Sequence, residues 1–435
     1  MKASSLANLM GGSLVGADTE ITGFATDSRE GGPGKAFLAI RGANVDGHDF
    51  VSRANASVSV VERPVEGPYI LVPNLVDALA RMAGALRHGF AGPVIAVTGS
   101  AGKTTTKEMI AAALSPLGPV LSTVGNRNSE FTSPLLWTDL TPETRAVVVE
   151  MGMRGFGQIS HLTRFTRPTL AVVTNIGWSH LEQTGDRDGI ARAKSEIFEG
   201  VGPDGLCVWW AEDEFSDTLA AAAGTRPSST FGMSSGDSQV TRYKMRSWTE
   251  AVTEGVTDGE SWSLTLPAIG RHIALNAAAA ILISKRSGVS VGDAALAVAK
   301  TLLPPMRMEV REVDGVTLLL DTYNAAPNSM LAAIDTLAEA PVSGRRRAVL
   351  GEMRELGAFA ESAHLEIGRH LRDAGIEDAC FFGGTAEIYQ KGFGGGQLAT
   401  DIDEVREFVA EARPGDAVLL KGSRALALER ALVSA

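Results

Sequence analysis

Leu6, Leu9 and Met10 recur at helical spacing and predict a short amphipathic helix near the start of the chain. Apolar runs at residues 21–25 and 36–40 predict strands, and Leu75, Leu79, Met82 and Leu86 line one face of a later helix. Residues 94–97 form an apolar run bounded by Pro93 and a glycine loop, beyond which Met109, Ile110, Ala113 and Leu114 mark a helix. Runs at 146–149 and 170–174 alternate with helical patterns, as parallel strands buried on both faces do. Residues 237–267, broken by polar turns, predict an antiparallel insertion. Leu303, Pro304 and Pro305 predict a linker, because proline cannot continue a helix and biases its predecessor to extended forms. Strands are predicted beyond it at 317–320, 348–350, 379–382 and 417–420, with helices between them. The chain thus reads as α/β in three domains, 1–91, 92–304 with a parallel sheet, and 305–435, with no short-period repeat.

Composition narrows the function classes. The 435 residues are 44% hydrophobic and 21% charged, enough apolar material for sizeable cores. Forty Lys plus Arg against 51 Asp plus Glu give a net charge of -11, and no basic stripe offsets it, so nucleic acid is not an expected partner. Two cysteines, Cys207 and Cys380, fit a reducing cytoplasm rather than a disulfide scaffold. The start of the chain lacks the pattern of a secretory signal, and the most apolar later run, 277–283, is too short to span a bilayer. A cytoplasmic monomer acting on small molecules is expected.

Gly99, Ser100, Ala101, Gly102, Lys103, Thr104 and Thr105 follow the 94–97 strand and open a helix. Glycines let backbone N–H groups turn around phosphate, the helix start adds a positive dipole end, and Lys103 supplies a point charge. Thr104 would set a hydroxyl on Mg²⁺. Val97 stands where a strict phosphate-loop motif has its first glycine, and a tight turn with a solvent lysine is the plain alternative. Glu150 ends the 146–149 run, a position suited to Mg²⁺ and equally to capping a helix. Ile190, Ala193 and Ile197 form one helical arc that includes Lys194. A lysine there is costly unless paired or modified, although its stem could also snorkel to water.

The phosphate loop resembles that of the Mur ligases, which carry a shortened Thr-Gly-Ser/Thr-x-Gly-Lys-Thr, and further matches run in order along essentially the whole chain. The resemblance implies an N-terminal UDP-sugar-binding α/β domain, a central P-loop ATPase-like domain and a C-terminal Rossmann-like domain that closes over ATP. The segment Asn175-Ile176-Gly177-Trp178-Ser179-His180 implies His180 as a second metal ligand. Residues 189–197 are similar to the stretch where the family carries an N-carbamylated lysine, implying that Lys194 becomes an anion holding one of two Mg²⁺. By the same resemblance Asn276 serves adenine, Arg307 phosphate and Asp321 ribose; Asp321 also follows a strand, where a ribose-binding acid is chemically expected.

Thr26-Asp27-Ser28-Arg29 and Asp46-Gly47-His48 resemble the UDP-sugar domain of the branch that adds D-alanyl-D-alanine. They imply Ser28, Arg29, Gly47 and His48, with Asn126 and Asn128 from the 125–134 loop, as contacts to a UDP-N-acetylmuramoyl-tripeptide. Residues 321–330, 350–357 and 421–424 match the same branch and imply Tyr323, Asn324, Lys421, Ser423 and Arg424 for the amine, with Lys421 or Arg424 reading its carboxylate. Departures are Ala326 for Asn, Glu352 for Asp, Ile273 for a second Asn, and Ser129 and Thr132 where many relatives carry Asn and Gly. The implied chemistry is amide formation through an acyl-phosphate, with Lys103, His180 and Lys194 as the catalytic set. The rivals are a lysine- or diaminopimelate-adding relative, a folylpolyglutamate synthase, and a P-loop protein that binds nucleotide without ligating anything.

Overall fold

The carboxyl end of one strand, Val94–Thr98, organises the molecule. The computed structural model describes residues 1–42, 44–179 and 181–432. In it this strand is wholly buried and lies inside a nine-stranded sheet, between Ala146–Glu150 and Leu170–Val173. Val120–Ser122 lies beyond the first neighbour; Leu206–Trp210 and Ser228–Gly232 lie beyond the second. The chain winds to one side of Val94–Thr98 and then to the other, which opens a crevice at its carboxyl end. The antiparallel strands expected within 237–267 are Ser238–Ser247, Glu250–Thr257 and Glu260–Leu266. They extend the same sheet, because Phe231 pairs in parallel with Ser238. The alanine-rich helix Arg271–Arg286 and the helix Lys103–Leu114 pack on one face of this sheet against Ile95, Val97, Val148 and Val172.

The N-terminal sheet orders Ser13–Val15, Tyr69–Leu71, Val58–Val61, Lys35–Leu38 and Gly23–Ala25, parallel except for its first pair. Helices Ala3–Met10 and Leu75–His88 cover it, with Leu6, Met10, Leu79 and Met82 against Val58, Val60 and Ile70. The first helix buries Ala3, Leu6, Ala7 and Met10, whereas Leu9, expected on that face, packs only at its margin.

The C-terminal sheet runs Glu309–Val313, Val316–Asp321, Ala417–Lys421, Arg346–Gly351, Asp378–Phe382 and Gln397–Ala399, again parallel except for its first pair. Residues 301–304 are irregular and Leu302 is exposed, in keeping with the linker expected at Leu303–Pro305. Just past it, Met306 and Met308 both take left-handed backbone, with φ of 60° and 53°. Such angles are strained for bulky side chains. Local hydrogen bonds hold them: Met306 N donates to Glu309 Oε2 (2.8 Å) and Met308 N to Asp321 Oδ1 (3.3 Å). Arg307 lies between them.

Candidate active site

At Gly99 φ is +150°, and a Cβ there would fall 1.9 Å from Thr174 Oγ1, so only glycine admits the turn. The loop that follows is held from outside by the segment after the neighbouring strand. Asn175 brackets Ala101: its Oδ1 accepts from Ala101 N at 3.0 Å and its Nδ2 donates to Ala101 O at 3.0 Å. Thr174 Oγ1 donates to the same carbonyl at 2.6 Å, and Gly177 N donates to Ser100 Oγ at 2.7 Å. The helix then starts at Lys103, with Thr104 and Thr105 buried in its first turn and their N–H groups at the open end of the dipole. Sequence reading noticed Asn175 only as part of a motif; its bracketing role depends on a contact across 74 residues.

Lys103 Nζ donates to Gly99 O at 2.7 Å, and Lys194 Nζ donates to the same oxygen at 3.1 Å. Lys194 is 1% exposed on the helix Arg187–Ser195, with Ile190, Ala193 and Ile197 buried around it, so the amine does not snorkel to water. Ser195 is buried too, and its hydroxyl donates to Ala191 O. Burial holds the Lys194 pKa well below the usual lysine range, and the Lys103 charge lowers it further. Lys103 is also lowered by burial, but Glu150 works in the opposite direction.

Glu150 is buried at the end of its strand. Its Oε1 accepts from Asn128 Nδ2 at 2.7 Å, and Oε2 has no hydrogen-bond partner among the described residues. A buried carboxylate oxygen of that kind suits a cation. His180 lies outside the described residues.

Lys103, Thr104 and Glu150 form the floor of a cleft of about 910 Å³ whose far wall comes from the C-terminal sheet; Lys194 is not among its lining residues. Arg307 Nη2 donates to Thr104 Oγ1 at 3.0 Å, with its guanidinium 4.1 Å from the Tyr323 ring centroid. Asn276 lies over the loop close to Gly102, where a Cβ would come within 3.3 Å of its Oδ1. Tyr323, Asn324, Asn126, Asn128, Asp321 and Lys421 also line the cleft. Beside them His272 is pushed down to about 4, chiefly by burial.

Several expected contacts prove to be occupied inside the fold. Lys421 is 1% exposed, pairs with Asp321 Oδ2 and donates to Asn324 O at 3.0 Å. Its charge is thus paired with Asp321 at the edge of the cleft. Ser423 Oγ donates to Glu352 O at 2.6 Å, and Arg424 pairs with Glu429; neither lines the cleft. His48 uses both ring nitrogens, Nδ1 with Asp46 at 2.6 Å and Nε2 accepting from Glu62 N at 3.0 Å. Gly47 abuts Ile40, where a Cβ would lie 2.5 Å from the backbone nitrogen. Arg29 folds onto Asp27 at 2.5 Å, and it is the flanking Thr26 and Glu30, not Ser28 or Arg29, that line the cleft. Thr26 and Glu30 also line a second cavity of about 550 Å³ between Ile21–Phe24 and the segment around Val124 and Leu135.

Comparison with known proteins matches the chain to three family models: Mur ligase family, catalytic domain, over residues 20–122; Mur ligase middle domain over 97–284; and Mur ligase, glutamate ligase domain over 306–424. The chain is 33% identical over 437 residues to the UDP-N-acetylmuramoyl-tripeptide–D-alanyl-D-alanine ligase of Escherichia coli (strain K12), covering 98% of this chain and 96% of that one. A crystal structure of MurF from Acinetobacter baumannii superposes with a TM-score of 0.92 at 31% identity, covering 99% and 97% of the two chains. MurF ligase from Thermotoga maritima in complex with ADP gives 0.84 at 31% identity, covering 95% and 96%.

Proposed function

The chain belongs to the Mur ligase family, and from that membership we infer that it is the ATP-dependent, ADP-forming ligase that adds D-alanyl-D-alanine to a UDP-N-acetylmuramoyl-tripeptide in peptidoglycan precursor synthesis. One observation carries the reading beyond likeness: Arg307, from the bend just before the C-terminal sheet, reaches Thr104 in the phosphate-loop helix, so a nucleotide held by the loop would meet both.

A carboxylate is a poor electrophile. ATP supplies the remedy: a carboxylate oxygen of the acceptor attacks the terminal phosphorus, the bond from that phosphorus to ADP breaks, and an acyl-phosphate forms. The amine of D-alanyl-D-alanine then attacks the carbonyl carbon, loses a proton, and phosphate leaves. Lys103 neutralises charge on the transferring phosphoryl group, as do the N–H groups of the loop. Arg307 acts on the same phosphates, Asn276 on the base and Asp321 on the ribose. Lys421 acts indirectly, by fixing the Asp321 carboxylate through their buried pair. Asn126 and Asn128 face the acceptor, and Tyr323 and Asn324 the amine. The second cavity, beside Thr26 and Glu30, supports a nucleotide-sugar site next to the expected Ser28 and Arg29 rather than on their side chains.

The donor set fits Mg²⁺: Glu150, with a buried unpartnered oxygen, and Thr104, together with His180 by family resemblance, would hold it. Bound there, the ion would offset phosphate charge. Lys194 would complete the anionic set as a carbamate. A carbamate forms when the neutral amine adds to CO₂ and releases one proton, and the lowered Lys194 pKa favours that neutral form.

The reading is tested by phosphate release with UDP-N-acetylmuramoyl-tripeptide, ATP and a panel of amines. Release should require acceptor and amine together and be much faster with D-alanyl-D-alanine than with D-alanine, L-lysine or meso-diaminopimelate. A single amino acid joined preferentially to a dipeptide acceptor overturns the substrate assignment.

A further inference from the structure

Lys107 lies on the phosphate-loop helix, one turn past Lys103, and its side chain has no solvent access. A buried ammonium carries a large desolvation penalty unless it is compensated locally. Here its Nζ lies 2.6 Å from Glu108 Oε1 and donates to the carbonyl oxygen of Thr123. Thr123 is itself a junction. Its N–H donates to Val148 O at 3.0 Å, and its hydroxyl accepts from Glu150 N at 3.0 Å.

Thr123 also begins the segment that runs along the cleft wall through Asn126 and Asn128. That segment returns to the same strand end a few residues later, where Asn128 holds Glu150 Oε1 and Gly152 N donates to Asn128 O at 2.9 Å. A Cβ on Gly152 would meet Asn128 Oδ1 at 2.8 Å, so the approach is close. The segment is therefore fastened at two points, and Lys107 ties the first of them to the helix that carries the phosphate loop.

We propose that Lys107 is a positioning residue that couples nucleotide binding at the phosphate loop to acceptor binding by residues 123–132, through its buried bond to Thr123. The inference rests on the reading that this segment faces the UDP-linked acceptor. A lysine that merely packed the helix would stabilise the fold and leave the two sites independent.

Hydrogen exchange on the wild-type protein, with and without ADP, decides first. ADP should slow exchange across 123–132 by several-fold, the scale of ordinary site coupling. The UDP-linked acceptor alone should also protect the segment. In Lys107→Met, ADP affinity should stay within about twofold, the acceptor KM should rise roughly tenfold, and the ADP-dependent protection of 123–132 should vanish. A variant with lower Tm but unchanged acceptor KM and intact ADP-dependent protection overturns the proposal. So does a wild-type protein whose 123–132 exchange ignores ADP, a result that stands even where the variant does not fold. Protection by ADP without protection by the acceptor keeps the coupling and removes the acceptor reading on which its purpose rests.

Discussion

Lys103 and Lys194 donate to one acceptor, the carbonyl oxygen of Gly99, at 2.7 and 3.1 Å. Two ammonium groups on one oxygen in a buried site repel each other. Burial lowers the pKa of both, the Lys103 charge lowers that of Lys194 further, and Glu150 works in the opposite direction at Lys103.

Lys103→Ala is expected to lower turnover by at least about 10²-fold, as for loss of one donor to a transition-state oxyanion. Steady-state phosphate release measures it, and near-normal ligation by the variant would remove the phosphate-loop assignment.

Lys194→Ala should be inactive and partly restored by small added carboxylates, which supply the missing anion. Intact mass and bicarbonate dependence of the wild-type enzyme give the independent check. Full activity with an unmodified lysine, in CO₂-depleted buffer, sinks the carbamate.

Asn175→Ala removes both hydrogen bonds that bracket Ala101. Leaving Ala101 N without its partner costs about 1–3 kcal/mol, while Thr174 Oγ1 still holds the carbonyl. The variant should lose ADP affinity in titration calorimetry while the acceptor KM changes little. An unchanged ADP affinity would show that the loop holds its shape without the bracket.

Lys421→Met strands the Asp321 carboxylate in a largely buried position. The expected loss of stability is about 3–5 kcal/mol, the usual cost of breaking a buried pair from one side. Because Asp321 is the partner, the KM for ATP should rise more than that for the dipeptide. The reverse split would restore Lys421 as a reader of the substrate carboxylate.

His272 supplies a pH prediction. Its folded pKa of about 4 lies below the ordinary 6.5, so the unfolded chain takes up a proton that the folded chain refuses. Its contribution is complete above pH 6.5 and is lost as pH falls towards 4, by up to about 3 kcal/mol. Denaturant midpoints at pH 7 and pH 4.5 should therefore converge in His272→Asn relative to wild type. An unchanged pH slope would place the titration elsewhere.

Much of the site was legible because its signals are local. The strand Val94–Thr98, the glycine turn and the following helix occupy one continuous stretch, and the arc that buries Lys194 is visible within two helical turns. Strand Glu309–Val313 was not legible, since its alternation is half-exposed and polar at a sheet edge. The pairing of Lys421 with Asp321 joins residues 100 apart and carries no pattern in the chain. Motif resemblance gives His48 and Gly47 a ligand role, and no pattern in the chain shows that the ring nitrogens meet Asp46 and Glu62 or that the glycine lies against Ile40. A motif reports which residues accompany a function, and only geometry separates those that touch the ligand from those that shape the wall.

The two left-handed methionines that flank Arg307 make its placement a matter of backbone rather than of side-chain rotamer. Each such angle costs on the order of 1–3 kcal/mol, and the bonds from Met306 N to Glu309 and from Met308 N to Asp321 hold it. The guanidinium thus meets the phosphate-loop helix already aimed, and its alignment is settled when the chain folds rather than when a ligand arrives.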